Sequence, residues 1–527
     1  MVLALLVAAP VLVLLVDVSR HGMPAWPTGL GEMVLVTVAL MAGVGAGTLV
    51  LGCGLAWLVT AYSFPGRDVL VWLLVLPLAM PAYILGFVFL STFDAAGDVQ
   101  VWLRQLLPWF EMSVRGLGGA VVVMSLSLYP YVYLLARAAF SEQAATTVDA
   151  ARTLGAGRWR VLRTVLLPLA RPSLAAGLAL VMMEVLTDFA TVQYFGVRTV
   201  SVGVYSVWRN TYDFRTAVQL SVLVLGFAVA VLAGERLMRG RARFTQPGRG
   251  RGIEPLRLRG WRALAATGAC LLALGVGVLV PVARLGWWAA TTLAGDGWAS
   301  VDPRAGRYLA ASLMVATLTA ALCVALAVLV SHALRLGGGR VVRGAAQVTT
   351  FGYAVPGVVV GIGTLLLLVA ADDLVEALGV AGGLGVVATG SVPAILYAYT
   401  VRFLSPAYQS VDASFAKLPA TLTQSALNLG AGPGRVLTRV HLPLVRSGVA
   451  VALVLVAVDA VKELPLVLLL RPFGFTTVSV WVFQLASEDL WREAALPALV
   501  IVALAVVPVA LLFRQVRTDD AARRRRG

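Results

Sequence analysis

The sequence predicts an all-α, polytopic membrane protein of about twelve transmembrane helices in two tandem, parallel six-helix halves. Three observations predict it: the apolar share, the spacing of the apolar runs, and an internal repeat at one fixed offset. Of the 527 residues, 60% are hydrophobic and 13% are charged. Soluble domains carry roughly 45–50% and about 25%. One water-covered core cannot hide this much apolar side chain. An ordinary soluble enzyme, a disordered chain and a disulfide-rich module are therefore excluded.

Twelve apolar runs lie at 2–17, 34–62, 69–90, 117–136, 173–192, 216–234, 263–283, 308–334, 347–370, 384–401, 447–470 and 494–513. The first run has no basic leader and no clear cleavage site, so it reads as a span and not as a removed signal peptide. Positive charge sets the orientation. The segments 63–68, 137–172, 235–262, 335–346, 402–446 and 514–527 hold 30 of the 42 Lys and Arg but 8 of the 26 acids. Placing them inside a bacterial cytoplasmic (inner) membrane makes both termini cytoplasmic. The net charge of +16 is thus a topology signal and not a nucleic-acid footprint. Residues 236–262 carry nine Arg among Gly and Pro and read as a basic cytoplasmic linker within reach of lipid head groups. It separates a first half, 1–235, from a second, 263–513, and residues 514–527 form a basic tail.

The repeat is the most informative feature. Residues 149–172 read DAARTLGAGRWRVLRTVLLPLARP, and residues 424–447 read QSALNLGAGPGRVLTRVHLPLVRS. They align without a gap at an offset of 275, with 13 of 24 positions identical. The same offset pairs Pro81 with Pro356, Gly86 with Gly361, Glu184 with Asp459 and Asp188 with Glu463. Apolar bias alone does not place Gly and Pro in register. Each repeated segment reads as a short helix, a tight turn at Leu154-Gly155-Ala156-Gly157 or its counterpart, and a second short helix stopped by Pro168 or Pro443. Such a knob, displayed twice in the loops 138–172 and 403–447, calls for a twofold partner.

These residues resemble the EAA motif of binding-protein-dependent ABC importer permeases. Asp149, Ala150 and Ala151, then Gly155, Gly157, Leu167-Pro168 and Pro172 carry the first copy. Ala426, Gly430, Gly432 and Leu442-Pro443 carry the second, where Gln424 and Ser425 replace the leading residues and Ser447 stands for the last proline. The resemblance implies coupling helices that dock two copies of a cytoplasmic ATPase, with an extracytoplasmic protein delivering the solute. A Walker A loop needs Gly-Lys-Ser/Thr. Lys417 and Lys462 are the lysines here, and they follow Ala416 and Val461. ATP and Mg therefore belong to a partner subunit, and this chain carries no cofactor and no enzyme activity of its own.

Ionisable residues inside spans mark pathways by default. Glu184 and Asp188 share one helix face in the fifth run, and Asp459 and Glu463 repeat them in the eleventh. Carboxylate oxygens suit a hard cation. A second reading stays open: these acids lie at the outer interface, hydrated or paired with Lys462 and Arg471. The flanks Met183–Phe189 with Gln193-Tyr194-Phe195-Gly196, and Lys462–Pro465 with Arg471-Pro472-Phe473, resemble ferric-iron permeases of the fused form. Gln193 and Tyr194 join the pathway candidates on that resemblance. Thiamine, polyamine, sulfate and phosphonate permeases share parts of the layout. A proton-coupled secondary transporter would account for the carboxylates but not for the paired loops. Pro77, Pro81 and Pro356 read as gate residues or as packing kinks. Tyr129, Tyr131 and Tyr133 read as packing aromatics. Cys53, Cys270 and Cys323 read as buried small hydrophobes. With His21, His332 and His441 the only histidines, no tight metal site is expected.

Overall fold

The computed structural model describes residues 1–527 except 23–25, 108, 110–112, 143–152, 154, 156, 212, 240–254, 298–300, 380–389 and 508–527. Most of the basic linker, the tail, and Asp149, Ala150 and Ala151 lie outside the described residues. Ten helices among the described residues are long and apolar enough to cross a membrane, and Val478–Ser487 and Ala495–Val507 are shorter apolar helices. The expected continuous runs at 69–90 and 347–370 are each broken. Pro81 and Pro356 have φ of −56° and begin the helices Ala82–Phe93 and Gly357–Ala377. The residues before them, Met80 and Val355, are extended because a following proline ring excludes the helical region. Each is preceded by a 3-10 turn, Leu76–Ala79 or Phe351–Ala354.

The chain forms two compact units. One comprises Gly29–Val202 and Gly226–Thr291. Its 32-residue helix Leu30–Ala61 runs along Leu117–Glu142. Glycine makes that contact close: a Cβ on Gly52 would meet the Tyr133 backbone nitrogen at 2.9 Å. Trp57, Tyr129, Tyr133 and Phe140 fill the core around this seam. Tyr133 donates to the Val71 carbonyl at 2.7 Å, and Ser127 donates to the Met80 carbonyl at 3.0 Å, pinning the proline break. Tyr129 and Tyr133 are fully buried packing residues. Residues Leu256–Arg257, in the described end of the linker, pair in parallel with Tyr62–Ser63.

The other unit comprises Met1–Thr28, Gly203–Leu225 and Thr292–Gly527. It therefore takes its first helix, Val2–His21, from the opposite end of the sequence. That helix lies on Gly357–Ala377, and Tyr397 donates to the Leu6 carbonyl at 2.6 Å. The helices Ala305–Arg335, Val392–Phe415 and Leu442–Lys462 pack together. The helix Val392–Phe415 extends well past the expected end at 401, so Arg402, expected in a loop, is 4% exposed and lies inside the packed unit.

The 275-residue offset reappears as structure. Helix Leu167–Thr187 matches Leu442–Lys462, and the π-turn Leu162–Leu166 matches Leu437–His441. The π-turns have a local cause. Pro168 and Pro443 lack an N–H, and their rings crowd the carbonyl four residues back. The preceding turn widens, so Leu167 and Leu442 bond five residues back, to Leu162 and Leu437.

Candidate translocation and coupling sites

The fifth and eleventh apolar runs are not single helices. Helix Leu167–Thr187 stops at Asp188, and a short helix, Phe189–Tyr194, begins there. Helix Leu442–Lys462 stops at Glu463, and Pro465–Leu470 follows. A restarting helix exposes N–H groups without internal partners. Asp188 Oδ1 accepts from the Thr191 N–H at 2.9 Å, and its Oδ2 accepts from the Thr191 hydroxyl at 2.5 Å. Glu463 Oε1 accepts from the Leu466 N–H at 3.3 Å. Leu466 is the 275-offset counterpart of Thr191. Both carboxylates therefore cap the restarted helix at the same position in their repeats.

Their second oxygens differ. Asp188 uses a hydroxyl. Glu463 Oε2 lies 3.4 Å from Arg402 Nε, with the pair 5% and 7% exposed. The Arg402 guanidinium also lies over the rings of Tyr353 and Phe403, 5.8 and 6.0 Å from their centroids. Asp459 pairs with Lys462 at 2.8 Å, as one of the two sequence readings had it. Glu184 lies one turn before Asp188 and is half-buried. Tyr194 is buried. Gln193 Oε1 is buried without a hydrogen-bond partner among the described residues.

Each restarted helix rests on a proline-started one. Gly86 faces Thr191, Tyr194 and Phe195, and its counterpart Gly361 faces Leu469, where an added Cβ would meet Cδ1 at 2.6 Å. A further repeated motif holds the far side: FGVRTVSV at 195–202 and FGFTTVSV at 473–480, now offset by 278. The Val200 N–H donates to Thr37 Oγ1 at 3.0 Å, and the Val478 N–H donates to Ser312 Oγ at 2.7 Å. Ser201 donates to the Leu186 carbonyl at 2.6 Å and Ser479 to that of Glu463 at 2.9 Å. Among the described residues, no group of three or more His, Cys, Asp or Glu is placed to hold a metal ion.

The second repeated loop is described in full. Its helix Ala420–Asn428 closes with a Schellman motif: Ala431 N–H bonds the Ala426 carbonyl at 3.0 Å, and Gly430 N–H bonds that of Leu427 at 2.9 Å. Gly430 has φ of +80°, which costs glycine little and a Cβ-bearing residue more. Gly432 is extended, and Pro433 opens the next short helix. In the first loop Gly155 has φ of +83° and Arg158–Val161 matches Pro433–Val436. Leu429 at the second bend is 87% exposed, and Leu422 and Leu427 are also exposed. Trp159 is exposed in the first loop.

Membrane helices in two repeats, each with a positive-φ glycine turn at the matching position and a broken helix, fit a transport subunit. Residues 48–237 match the family described as "Binding-protein-dependent transport system inner membrane component". The chain belongs to that family and is a fused two-half permease of an ABC importer. It is 24% identical over 498 residues to the Fe(3+)-transport system permease protein FbpB 2 of Haemophilus influenzae, covering 92% of this chain and 90% of that protein. It is 28% identical over 224 residues to the molybdenum transport system permease protein ModB of Escherichia coli strain K12, covering 41% of this chain and 94% of that protein. With the ModB protein of Haemophilus influenzae it shares 30% identity over 166 residues, 30% of this chain and 71% of that one.

Proposed function

We propose that this permease imports ferric iron, handed over by an extracytoplasmic binding protein and driven by two copies of a cytoplasmic ATPase. The carrying observation is the carboxylate that caps the restarted helix at the same position of both repeats. Hard oxygen donors suit Fe³⁺ better than an apolar solute. The similarity to an Fe(3+)-transport permease along nearly the whole chain supports this choice, whereas the molybdenum permeases match less than half of it.

Each of the capping carboxylates, and Asp459, already has a partner: Thr191 for Asp188, Arg402 for Glu463, Lys462 for Asp459. A transit site has to release its ion, so binding must be weak and shared among stations. In this reading Glu184, Asp188, Gln193, Tyr194, Asp459 and Glu463 are such stations, and Gln193 Oε1 is an acceptor awaiting a ligand. The coupling residues are Asp149, Ala150, Ala151, Gly155, Gly157 and Pro168, with Ala426, Gly430, Gly432 and Pro443. Closure of the ATPase pair moves both loops, and rigid-body rocking of the repeats changes access. Both termini then face the cytoplasm.

The test is uptake of radioactive ferric iron in cells with and without the chain, with thiamine and molybdate uptake measured beside it. ATP depletion should abolish iron uptake, and a protonophore at constant ATP should not. Unchanged iron uptake in cells that express the whole transporter sinks the ferric assignment and leaves the importer class standing.

A further inference from the structure

Arg402 reaches both helix breaks of the second repeat. It stands on helix Val392–Phe415 and is buried. On one side its Nε lies 3.4 Å from Glu463 Oε2, where the eleventh run stops and restarts as Pro465–Leu470. On the other its guanidinium lies 5.8 Å from the ring centroid of Tyr353, in the 3-10 turn Phe351–Ala354 that precedes Pro356. Phe403 adds a second ring at 6.0 Å. Tyr399, three residues earlier on the same helix, donates to the Glu463 carbonyl at 3.4 Å. The carboxylate is therefore held beside the helix that carries Arg402.

The first repeat is built differently. At the 275 offset stand Ser127 for Arg402, Leu78 for Tyr353 and Leu128 for Phe403. Ser127 donates to the Met80 carbonyl, a neutral hold on its break, and Asp188 gives its second oxygen to a hydroxyl. Glu463 gives its second oxygen to a permanent cation. Its first oxygen caps the Leu466 N–H, so Oε2 is the oxygen an arriving ion has to take. A hard cation sits about 2.0–2.5 Å from its oxygen ligand. At that distance it lies against the guanidinium, and the two charges repel. Arginine does not relieve the repulsion by losing a proton. It has to move off the carboxylate. The faces of Tyr353 and Phe403 attract a guanidinium in apolar surroundings, so the displaced group keeps a partner.

We propose that Arg402 is a tethered counter-ion: the travelling cation displaces it from Glu463, and its return expels the cation. The inference rests on the reading of Glu463 as a station for a hard cation. It supplies the release that such a station needs. A buried carboxylate with no competitor holds a trivalent ion too long to pass it on, and conduction requires that the ion leave. A cation on the same chain is present at a high and constant local concentration, so the exchange needs no second solute. The exchange also sets a threshold. Every arriving ion has to break the same ion pair, and one that holds the carboxylate less strongly than the guanidinium does not stay. A small trivalent ion meets this threshold and a monovalent one does not. Arg402 is thus a positioning residue for Glu463 that acts by competition, and the station at Asp188 works without one.

The test is Tb³⁺ binding to the full chain in detergent, read by luminescence excited through the protein's aromatic side chains. Tb³⁺ is a hard trivalent probe for oxygen ligands. A site occupied by its own counter-ion loses apparent affinity by the fraction of time it is closed. Arg402→Gln, which keeps a hydrogen-bond donor and removes the competitor, should therefore bind Tb³⁺ roughly tenfold more tightly than the wild type. The gain should vanish in Arg402→Gln with Glu463→Gln. Arg402→Lys keeps the buried charge pair, and with it the fold, but an ammonium holds a carboxylate less well than the planar guanidinium. It should bind Tb³⁺ with an affinity between the other two. Equal affinity in the wild type and both single variants, or a gain that survives loss of the Glu463 carboxylate, overturns the exchange. The second arm uses the reconstituted transporter with its ATPase and binding protein. Arg402→Gln should import iron roughly tenfold more slowly at saturation and retain iron after washing, because the ion enters and is not expelled. A variant with the wild-type rate, or a slow one that retains no iron, overturns the release role. A wild type that imports no iron while the Tb³⁺ series behaves as expected overturns the ferric reading and supports the exchange at Glu463.

Discussion

Asp188 and Glu463 stand 275 residues apart and do the same local work: each carboxylate accepts the backbone N–H three residues on, at the point where a membrane helix breaks and restarts. The aspartate reaches it with a short arm and fills its other oxygen with the Thr191 hydroxyl. The glutamate has one more methylene, and Arg402 answers its other oxygen. The two stations are alike in backbone and unlike in charge balance.

Capping and ion transit separate by substitution at Asp188. Asn retains the capping oxygen and removes the charge, whereas Ala removes both. Asp188→Asn should unfold within about 0.5 kcal/mol of the wild type and lose iron uptake by roughly tenfold or more. Asp188→Ala should add a loss of about 1 kcal/mol in stability. Thermal unfolding in detergent beside uptake reads both; an Asn variant with full uptake would assign Asp188 to architecture alone.

The Arg402–Glu463 pair makes an asymmetric prediction. Removing one partner strands a buried charge, at a cost of about 3–5 kcal/mol, while removing both costs much less. Arg402→Met should therefore lower the unfolding temperature sharply, and Arg402→Met with Glu463→Gln should recover most of the loss. A double-mutant cycle on unfolding midpoints measures the coupling. Additive losses would show that the pair is not energetically linked.

The repeat and the helix–turn–helix form of the second loop were legible in the sequence because Gly, Pro and Leu-Pro recur at one spacing. The breaks were not. Residues 173–192 and 447–470 read as continuous runs because apolar content carries no sign of an interruption. The available signals were Asp188 three residues before Thr191, a capping spacing, and Pro465 where a first helical turn begins. The motif FG-x-x-TVSV escaped a self-comparison at 275 because three extra residues shift it to 278. Arg402 read as a loop cation because positive charge at a span's end signals topology; its carboxylate partner is 61 residues away. His332 and His441, 109 residues apart, meet only through the packing of three helices.

Asp213 provides a pH-dependent check at a helix start outside the spans. Its carboxylate accepts from the Thr216 N–H at 3.1 Å and from the Thr216 hydroxyl at 2.6 Å, and these bonds hold its pKa below the ordinary value. The unfolded carboxyl titrates near about 3.9. Because the folded value is lower, the cap's contribution is complete above that pH and is lost as pH falls through the folded value. Amide exchange in the first turn of Phe214–Arg239 should quicken only under strong acid. Thr216→Val should move that onset to higher pH. An onset in the variant identical to the wild type would remove the hydroxyl from the account.

Gly430 tests the proposed coupling role of the second repeated loop without touching the membrane core. Its φ of +80° closes a Schellman motif on the exposed end of helix Ala420–Asn428, with open space around the missing Cβ. A side chain there meets no neighbour, so any penalty is backbone strain, about 1–2 kcal/mol. Asn tolerates this region better than a β-branched residue does. Gly430→Val should therefore bend or fray the knob while the spans fold, whereas Gly430→Asn should retain it. In the reconstituted transporter, Gly430→Val is expected to hydrolyse ATP with little import, and Gly430→Asn to stay near wild type. Gly155→Val in the first loop should act the same way, because Gly155 shares the conformation at φ of +83°. Normal import by both Val variants would mean that the bend is not what passes force from the ATPase to the helices.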